Sequence, residues 1–168
     1  MTDKQQSDIL QDWLSQYKAL IFKIVRSYAF TALDREDLFQ EITMQVWRSI
    51  PSFRGESAVT TWLYRISLNT AIRFSQKERK RSEGSTDIEH VQHILIEHKP
   101  GGDERLSWLY DEITKLNEID RSITLLMLDG FSYKEMSTIV GITESNIGVR
   151  INRIKKHLTG KSKNYNQY

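Results

Sequence analysis

Apolar residues recur at steps of three and four along most of the chain, a spacing that predicts amphipathic helices. The first such helix covers residues 7–29. The second begins near Asp34, a good N-cap, and stops at Pro51, which cannot continue a helix. The third begins near Ser57 and runs into a basic segment. Five of its residues are predicted to face inward, namely Val59, Trp62, Leu63, Ile66 and Thr70. Three helices with one apolar face each predict a small bundle.

The helical pattern is lost over residues 82–103 and then resumes. That segment is rich in Ser, Gly and Thr, so we expect a flexible linker with one marginal helix at 88–96. Helical spacing returns with Leu106, Leu109, Ile113 and Leu116, and again with Ile119, Ile123 and Leu126 before Gly130. The predicted fold is all-α. Two small helical bundles, residues 1–81 and 105–168, are joined by a flexible linker at 82–104, and the second bundle contains a helix-turn-helix.

The helix-turn-helix lies between residues 132 and 158. Ser132 and Glu135 have the spacing of a capping box, which satisfies two backbone amides at a helix start. The short helix ends at Gly141, Thr143 can cap the next helix, and the small Ser137 allows close packing. The second helix has an inward seam of Ile147, Ile151, Ile154 and Leu158.

The face opposite that seam has a composition suited to a DNA groove. It holds Ser145, Val149, Asn152, Arg153 and Lys156, flanked by Asn146. An amide and cations can bond to base edges, and cations also bind phosphates. The alternative is the solvated face of a structural hairpin, but the caps, the turn glycine and this face together favour DNA binding.

Composition supports the helices and excludes several chemistries. The 168 residues include only 8 Gly and 2 Pro, too few for a many-turned β fold. No cysteine is present, which excludes disulfides, thiol nucleophiles and cysteine zinc sites within the chain. The N-terminus is unlike a secretory signal, and no apolar run approaches the ~20 residues of a membrane span. We therefore expect a soluble, cytoplasmic protein.

The net charge of +2 conceals two basic patches separated by an acidic stretch. Residues 73–81 hold five bases and one acid, and residues 150–163 hold six bases and no acid. Residues 82–108, between them, are net acidic. This distribution favours two contacts with one polyanion, such as a nucleic acid. Cations at solvated helix ends are the alternative.

Several segments resemble the extracytoplasmic-function (ECF) sigma factors of bacterial RNA polymerase. They are residues 37–41 (DLFQE), 53–57 (FRGES) and 61–71 (TWLYRISLNTA), followed by the helix-turn-helix. The resemblance covers roughly residues 10–81 and 105–158, in the family's order. It implies a factor that binds core RNA polymerase and directs initiation at promoters with −10 and −35 elements. It also implies no active site and no cofactor.

The resemblance assigns the DLFQE segment to polymerase binding. In the family this segment docks on the clamp helices of the β′ subunit, and here it supplies Asp37, Gln40 and Glu41. These lie at i, i+3 and i+4, so one helix face presents two carboxylates and an amide that suit a basic partner. The alternative is a solvated stripe with capping acids. The family also implies contact with the β flap, and an anti-sigma factor as a further partner.

The resemblance assigns recognition of the −10 element to the loop before the third helix and to that helix. The loop contributes Phe53, Arg54 and Gly55, and a polar stripe at steps of four and three contributes Arg65, Asn69, Arg73, Lys77 and Lys80. An amide among cations can hold a backbone and bond to an exposed base. Asn69 aligns with the asparagine that contacts a flipped base in the family. Trp62, at helical spacing, is interpreted as core.

The resemblance assigns recognition of the −35 element to the helix-turn-helix, including Arg150. Here the chain departs from the family's commonest pattern, because it has Gly148 and Val149 where many members have a basic residue and a serine. We therefore expect an altered −35 preference, in which Val149 contacts a thymine methyl.

Two other classes of function are weighed against this one. A stand-alone helix-turn-helix regulator would leave the DLFQE and TWLYR segments without a purpose. A metal site could be built from Glu89, His90, His93, Glu97 and His98, but histidines in such a linker are usually solvated. We therefore expect no bound metal. No nucleophile–base pair or phosphate-binding glycine loop is visible in the sequence, so we do not expect an enzyme.

Overall fold

The computed structural model describes residues 1–83 and 102–165, and these ranges contain helices and no strand. The chain divides into two compact units, Met1–Glu97 and His98–Tyr168. The predicted all-α fold of two helical bundles is confirmed. None of the helices in the described ranges has a stretch apolar enough to cross a membrane.

Seven α-helices and one 3-10 turn make up the described residues. They are α1 (Asp3–Tyr28), α2 (Ala32–Ser49), the 3-10 turn (Ile50–Ser52), α3 (Val59–Glu83), α4 (Glu104–Thr114), α5 (Glu118–Leu128), α6 (Tyr133–Val140) and α7 (Glu144–Tyr165). The proposed linker and its marginal helix fall on residues that lie almost wholly outside the described ranges.

In the N-terminal unit, α1, α2 and α3 each pack on the other two. Leu38, Ile42 and Val46 bury one side of α2 at steps of four. Leu38 belongs to the DLFQE segment, so its burial turns the polar residues on either side of it toward solvent. The core of the bundle therefore orients the predicted docking motif.

The cap of the second helix lies three residues before the predicted one. Its N-cap is Thr31, whose Oγ1 accepts a hydrogen bond of 3.0 Å from the backbone N–H of Asp34. The prediction of Asp34 as the cap is wrong, because a hydroxyl three positions earlier already satisfies that amide. Asp34 instead lies in the first turn, where a carboxylate is favourable next to the helix dipole. The third helix likewise begins at Val59 rather than near Ser57.

The inner face of α3 is broader than predicted. Leu63 and Thr70 are buried, but Val59, Trp62 and Ile66 are only half-buried. The other buried residues of α3 were not among those predicted to face inward. They are Tyr64, Ser67, Leu68 and Ala71. A helix that packs on two neighbours is covered over more of its circumference than one apolar stripe indicates.

In the C-terminal unit, α5, α6 and α7 pack together, and α4 contacts α5. The core is formed by Ile113, Ile123, Leu125, Leu126, Met136, Ile139, Ile147, Ile151 and Ile154. Leu106, the first of the four residues whose spacing predicts α4, is exposed. Only the C-terminal end of α4 is buried, so Leu106 in its first turn lies beyond the packed surface.

Candidate polymerase and DNA interfaces

The outer face of α2 carries the predicted polymerase-docking residues. Asp37 and Gln40 are exposed, and Glu41 is half-buried and accepts a 3.0 Å hydrogen bond from Nε2 of Gln45. Glu41 is thus oriented by its own helix, while Asp37 and Gln40 point to solvent.

Two exposed apolar residues lie on the same face of α2 and were missed from the sequence. Leu33 lies four residues before Asp37, and Met44 lies four residues after Gln40. They are 67% and 45% exposed. Residues four apart share a helix face, so this spacing was the signal that could have found them. The face thus has a carboxylate and an amide in its middle and an apolar side chain at each end. This composition suits contact with a partner helix better than exposure to water.

The polar stripe of α3 is exposed along its whole length. Its members are Arg65, Asn69, Arg73, Lys77 and Lys80. They point away from the buried side of the helix, because the packed residues lie between them along the chain. The stripe therefore presents one amide among four cations to solvent.

A groove of about 340 Å³ between α2 and α3 joins these two surfaces. Asp37 and Glu41 line it from α2, and Arg73 and Lys77 line it from α3. The sequence placed these residues in separate motifs, and only the packing of the two helices brings them to one groove. The residues predicted to bind polymerase and those predicted to bind DNA are thus neighbours.

The loop before α3 combines packing with exposure. The Phe53 ring meets Trp13 edge-on, with 5.2 Å between centroids, and lies 5.1 Å from Trp62. Trp13 and Trp62 are also edge-on, at 5.3 Å. Trp62 is therefore part of a half-buried aromatic cluster that anchors the loop to α1 and α3. Arg54 and Gly55 are exposed, so these two residues are the accessible part of the predicted loop site.

The helix-turn-helix forms as predicted, from α6, a tight turn and α7. The backbone N–H of Ser132 donates to Glu135 at 2.7 Å, and that of Glu135 donates to the Ser132 hydroxyl at 3.2 Å, which confirms the capping box. The backbone hydrogen bond holds the pKa of the Glu135 carboxyl below its ordinary value. Gly141 ends α6 with φ of +81°, a conformation that glycine adopts without steric cost. The Ser137 hydroxyl donates to the carbonyl of Ile142, which ties α6 to the turn.

The outer face of α7 is exposed where the sequence predicted DNA contacts. Its exposed members are Ser145, Asn146, Val149, Asn152, Arg153 and Lys156. Ile147, Ile151 and Ile154 are buried, so the predicted seam is confirmed for these three, and Leu158 is half-buried. Thr143 caps the helix by accepting from the Asn146 N–H at 3.2 Å.

Arg150 and Arg153 have a partner that the sequence did not indicate. Arg150 Nη1 donates to Asp120 Oδ1 at 2.7 Å, and Arg153 Nη2 donates to Asp120 Oδ2 at 2.8 Å. Burial alone raises the pKa of Asp120, but the hydrogen bonds from Arg150, Arg153 and Asn117 outweigh it and hold that pKa below its ordinary value. Helix α7 is therefore linked to α5 by a charged cluster.

The linker histidines, weighed above as an alternative metal site and not adopted, lie outside the described ranges. Within residues 1–83 and 102–165, His, Asp and Glu side chains form no group that could hold a metal ion.

Two family models match the chain, one in each unit. Sigma-70 region 2 matches residues 13–81, and sigma-70 region 4 matches residues 106–158. The first match contains α2 and nearly all of α3, and the second contains the helix-turn-helix.

Curated relatives match over nearly the whole chain. The ECF RNA polymerase sigma-E factor of Haemophilus influenzae is 30% identical over 171 residues, covering 95% of this chain and 88% of that protein. The ECF RNA polymerase sigma-E factor of Escherichia coli K12 is 28% identical over 160 residues, covering 87% and 82%. The chain belongs to the ECF family of RNA polymerase sigma factors, which are transcription initiation factors rather than enzymes.

Solved structures have the same fold. The sigma factor RpoE from Bartonella quintana, crystallised with the anti-sigma factor NepR, matches with a TM-score of 0.73 and 26% identity, covering 93% of this chain and 97% of that one. CnrH, solved in complex with the cytosolic domain of CnrY, matches with a TM-score of 0.66 at 16% identity, covering 94% and 89%, and shows likeness of fold alone.

Proposed function

We propose that this ECF sigma factor divides promoter recognition between its two units. In the N-terminal unit, the outer face of α2 binds the clamp helices of core polymerase, and the α3 stripe with Arg54 and Gly55 binds the −10 element. In the C-terminal unit, α7 binds the −35 element beside the polymerase β flap. The observation that carries this division is that the α3 stripe and the outer face of α7 are both solvent-exposed, in two separately packed units.

Polymerase binding by α2 is supported by charge and by apolar anchors. Asp37 and Gln40 can accept and donate hydrogen bonds to a basic helix, and Leu33 and Met44 can bury apolar surface at the two ends of the same contact. Glu41 borders the groove that leads to Arg73. Polymerase bound to α2 would therefore lie next to DNA held on α3.

In the N-terminal unit, cations anchor the DNA and an amide specifies the sequence. Arg73, Lys77 and Lys80 attract phosphates whatever the sequence. Asn69, between Arg65 and Arg73 on the stripe, offers an acceptor and two donors to one exposed base. Because it is exposed on a helix that is otherwise well packed, the loss of its side chain leaves the fold intact.

We also propose that an anti-sigma factor regulates this chain, by covering the α2 face and the groove beside it. The support is the likeness to RpoE, which was crystallised with the anti-sigma factor NepR. A cytoplasmic location stays a prediction, and its basis is the proposed binding to core RNA polymerase.

Run-off transcription with core polymerase tests the proposal. Purified chain and core should initiate at specific sites on genomic DNA fragments, whereas core alone should not. Two weak contacts give high affinity once one partner fixes their separation, so the chain without core should bind the same promoters far more weakly. Tight, sequence-specific binding by the isolated chain would favour a stand-alone regulator and contradict the proposal.

A further inference from the structure

One carboxylate on α5 holds two arginines of the recognition helix α7. The Asp120 side chain is 6% exposed, and each of its oxygens accepts from a different arginine. Oδ2 also accepts from Nδ2 of Asn117, the N-cap of α5, at 2.9 Å. Asp120 therefore has both oxygens occupied and is fixed by its own helix start.

The two arginines differ in how much of each remains available. Arg150 also donates from Nε to Asn146 Oδ1 at 3.1 Å, and its side chain is 23% exposed. The Arg153 side chain is 60% exposed and lies on the outer face of α7 beside Val149. A guanidinium has five N–H donors in a rigid fork, so Arg153 bound to Asp120 through Nη2 keeps donors for a base edge.

We infer that Asp120 is a positioning residue for −35 recognition: it orients Arg153 toward one base pair and reduces the charge that α7 presents to phosphates. The inference rests on the proposed role of α7. An arginine already held in place loses less rotamer freedom when it meets its base, which favours the matching sequence. A neutralised cation releases fewer counterions, which weakens binding to every other sequence.

The test uses holoenzyme assembled from the full chain and core polymerase. Its probe is a duplex library with one −10 segment and a fully randomised −35 segment. With Asp120→Asn, we expect the preference at one base-pair position to fall about tenfold. We also expect the slope of log affinity against log salt to steepen by up to about 1. Glu104→Gln removes one negative charge from α4 and should leave both measurements unchanged.

A merely structural role for Asp120 predicts another pattern. The amount of folded protein would fall, while the selected sequence and the salt slope stayed as in the wild type, and this outcome would overturn the inference. Arg153→Lys supplies a second check, because it keeps the positive charge but removes the planar guanidinium with its rigid set of N–H donors. If Asp120 acts through Arg153, adding Asp120→Asn to Arg153→Lys should cost no further preference, and an additive loss would contradict the inference.

Two further outcomes keep the test decisive. If Asp120→Asn fails to fold, Asp120→Glu keeps the charge and displaces the carboxylate by one methylene. It should lower the preference without changing the salt slope, and an unchanged preference would overturn the inference.

If wild-type holoenzyme selects no −35 sequence, the proposed role of α7 fails and the inference with it. If wild type selects a sequence and Asp120→Asn selects it equally well, only the inference fails.

Discussion

The ring of Tyr133 lies against the backbone of Gly148, so that a Cβ at position 148 would stand 3.4 Å from Tyr133 Cε2. Tyr133 is the first residue of α6, and Gly148 lies in the second turn of α7. In this chain the space near that position is taken by an aromatic ring of the first helix, so a longer side chain there would have to point away from Tyr133.

We predict that Gly148→Ala stabilises the C-terminal unit by somewhat less than the ~1 kcal/mol that alanine gains over glycine inside a helix. A distance of 3.4 Å is an ordinary contact, and the Tyr133 ring is partly exposed and free to adjust. Urea denaturation followed by circular dichroism measures the change. Gly160→Ala is the matched control, because in the described part of the chain its Cβ would lie within 4 Å of nothing beyond the adjacent backbone of its own helix. Destabilisation by Gly148→Ala would mean that the Tyr133 ring cannot move to make room for the added methyl group.

For polymerase binding, we predict that Asp37→Ala combined with Gln40→Ala weakens the affinity for core by about tenfold or more, since charge-assisted hydrogen bonds are lost. Both side chains are exposed, so the thermal stability of the chain should hardly change. Fluorescence titration with core polymerase measures the affinity. Glu36→Ala, at another exposed position of α2, is the control. Binding equal to that of the wild type would contradict the assignment of this face of α2 to polymerase binding.

For the exposed apolar residues of the same face, we predict that Leu33→Ser and Met44→Ser each lower core affinity, while the free energy of unfolding falls by no more than about 0.5 kcal/mol through the poorer helix propensity of serine. Both residues are exposed, so they offer apolar surface to a partner that the bundle does not cover. The same titration and a denaturation curve separate the two effects. A stability loss with unchanged core affinity would assign both residues to the fold alone.

In the α3 stripe, we predict that Asn69→Ala and Arg73→Ala have different consequences. Asn69→Ala should lower transcription and reduce discrimination at one −10 base, because an amide specifies rather than anchors. Arg73→Ala should weaken binding to all sequences and lower the salt slope by about 1. Transcription from promoters with each base at that position, at several salt concentrations, distinguishes them. Identical behaviour of the two variants would contradict this division.

The lowered pKa of Asp120 predicts how the stability of the C-terminal unit responds to acid. Its folded-state pKa lies below the ordinary value of 3.8. Its contribution to stability is therefore complete above 3.8 and is lost as the pH falls through the lower folded-state value. We expect the free energy of unfolding of the wild type to decline more in that window than that of Asp120→Asn. Denaturation curves at a series of acidic pH values measure both, and equal declines would show that Asp120 contributes nothing.

Much of the local structure was determined by the sequence alone. Helical spacing identified the helices of both bundles, and the capping box at Ser132 and the cap at Thr143 formed as expected. These features depend on residues within about four positions of one another, so they can be recognised without a fold. The exposed stripe of α3 followed for the same reason, because one helix period places its members on one face.

Only the tertiary structure decided which distant side chains meet. Asp120 and Arg150 are 30 residues apart, and their contact depends on how α5 packs against α7. The cluster of Trp13, Phe53 and Trp62 and the groove between Asp37 and Arg73 likewise depend on the packing of separate helices. A periodic pattern states which face of a helix is apolar, but it does not state which residue of another helix lies opposite. The charge on the outer face of α7 is therefore a property of the folded unit, since a carboxylate from α5 neutralises part of it.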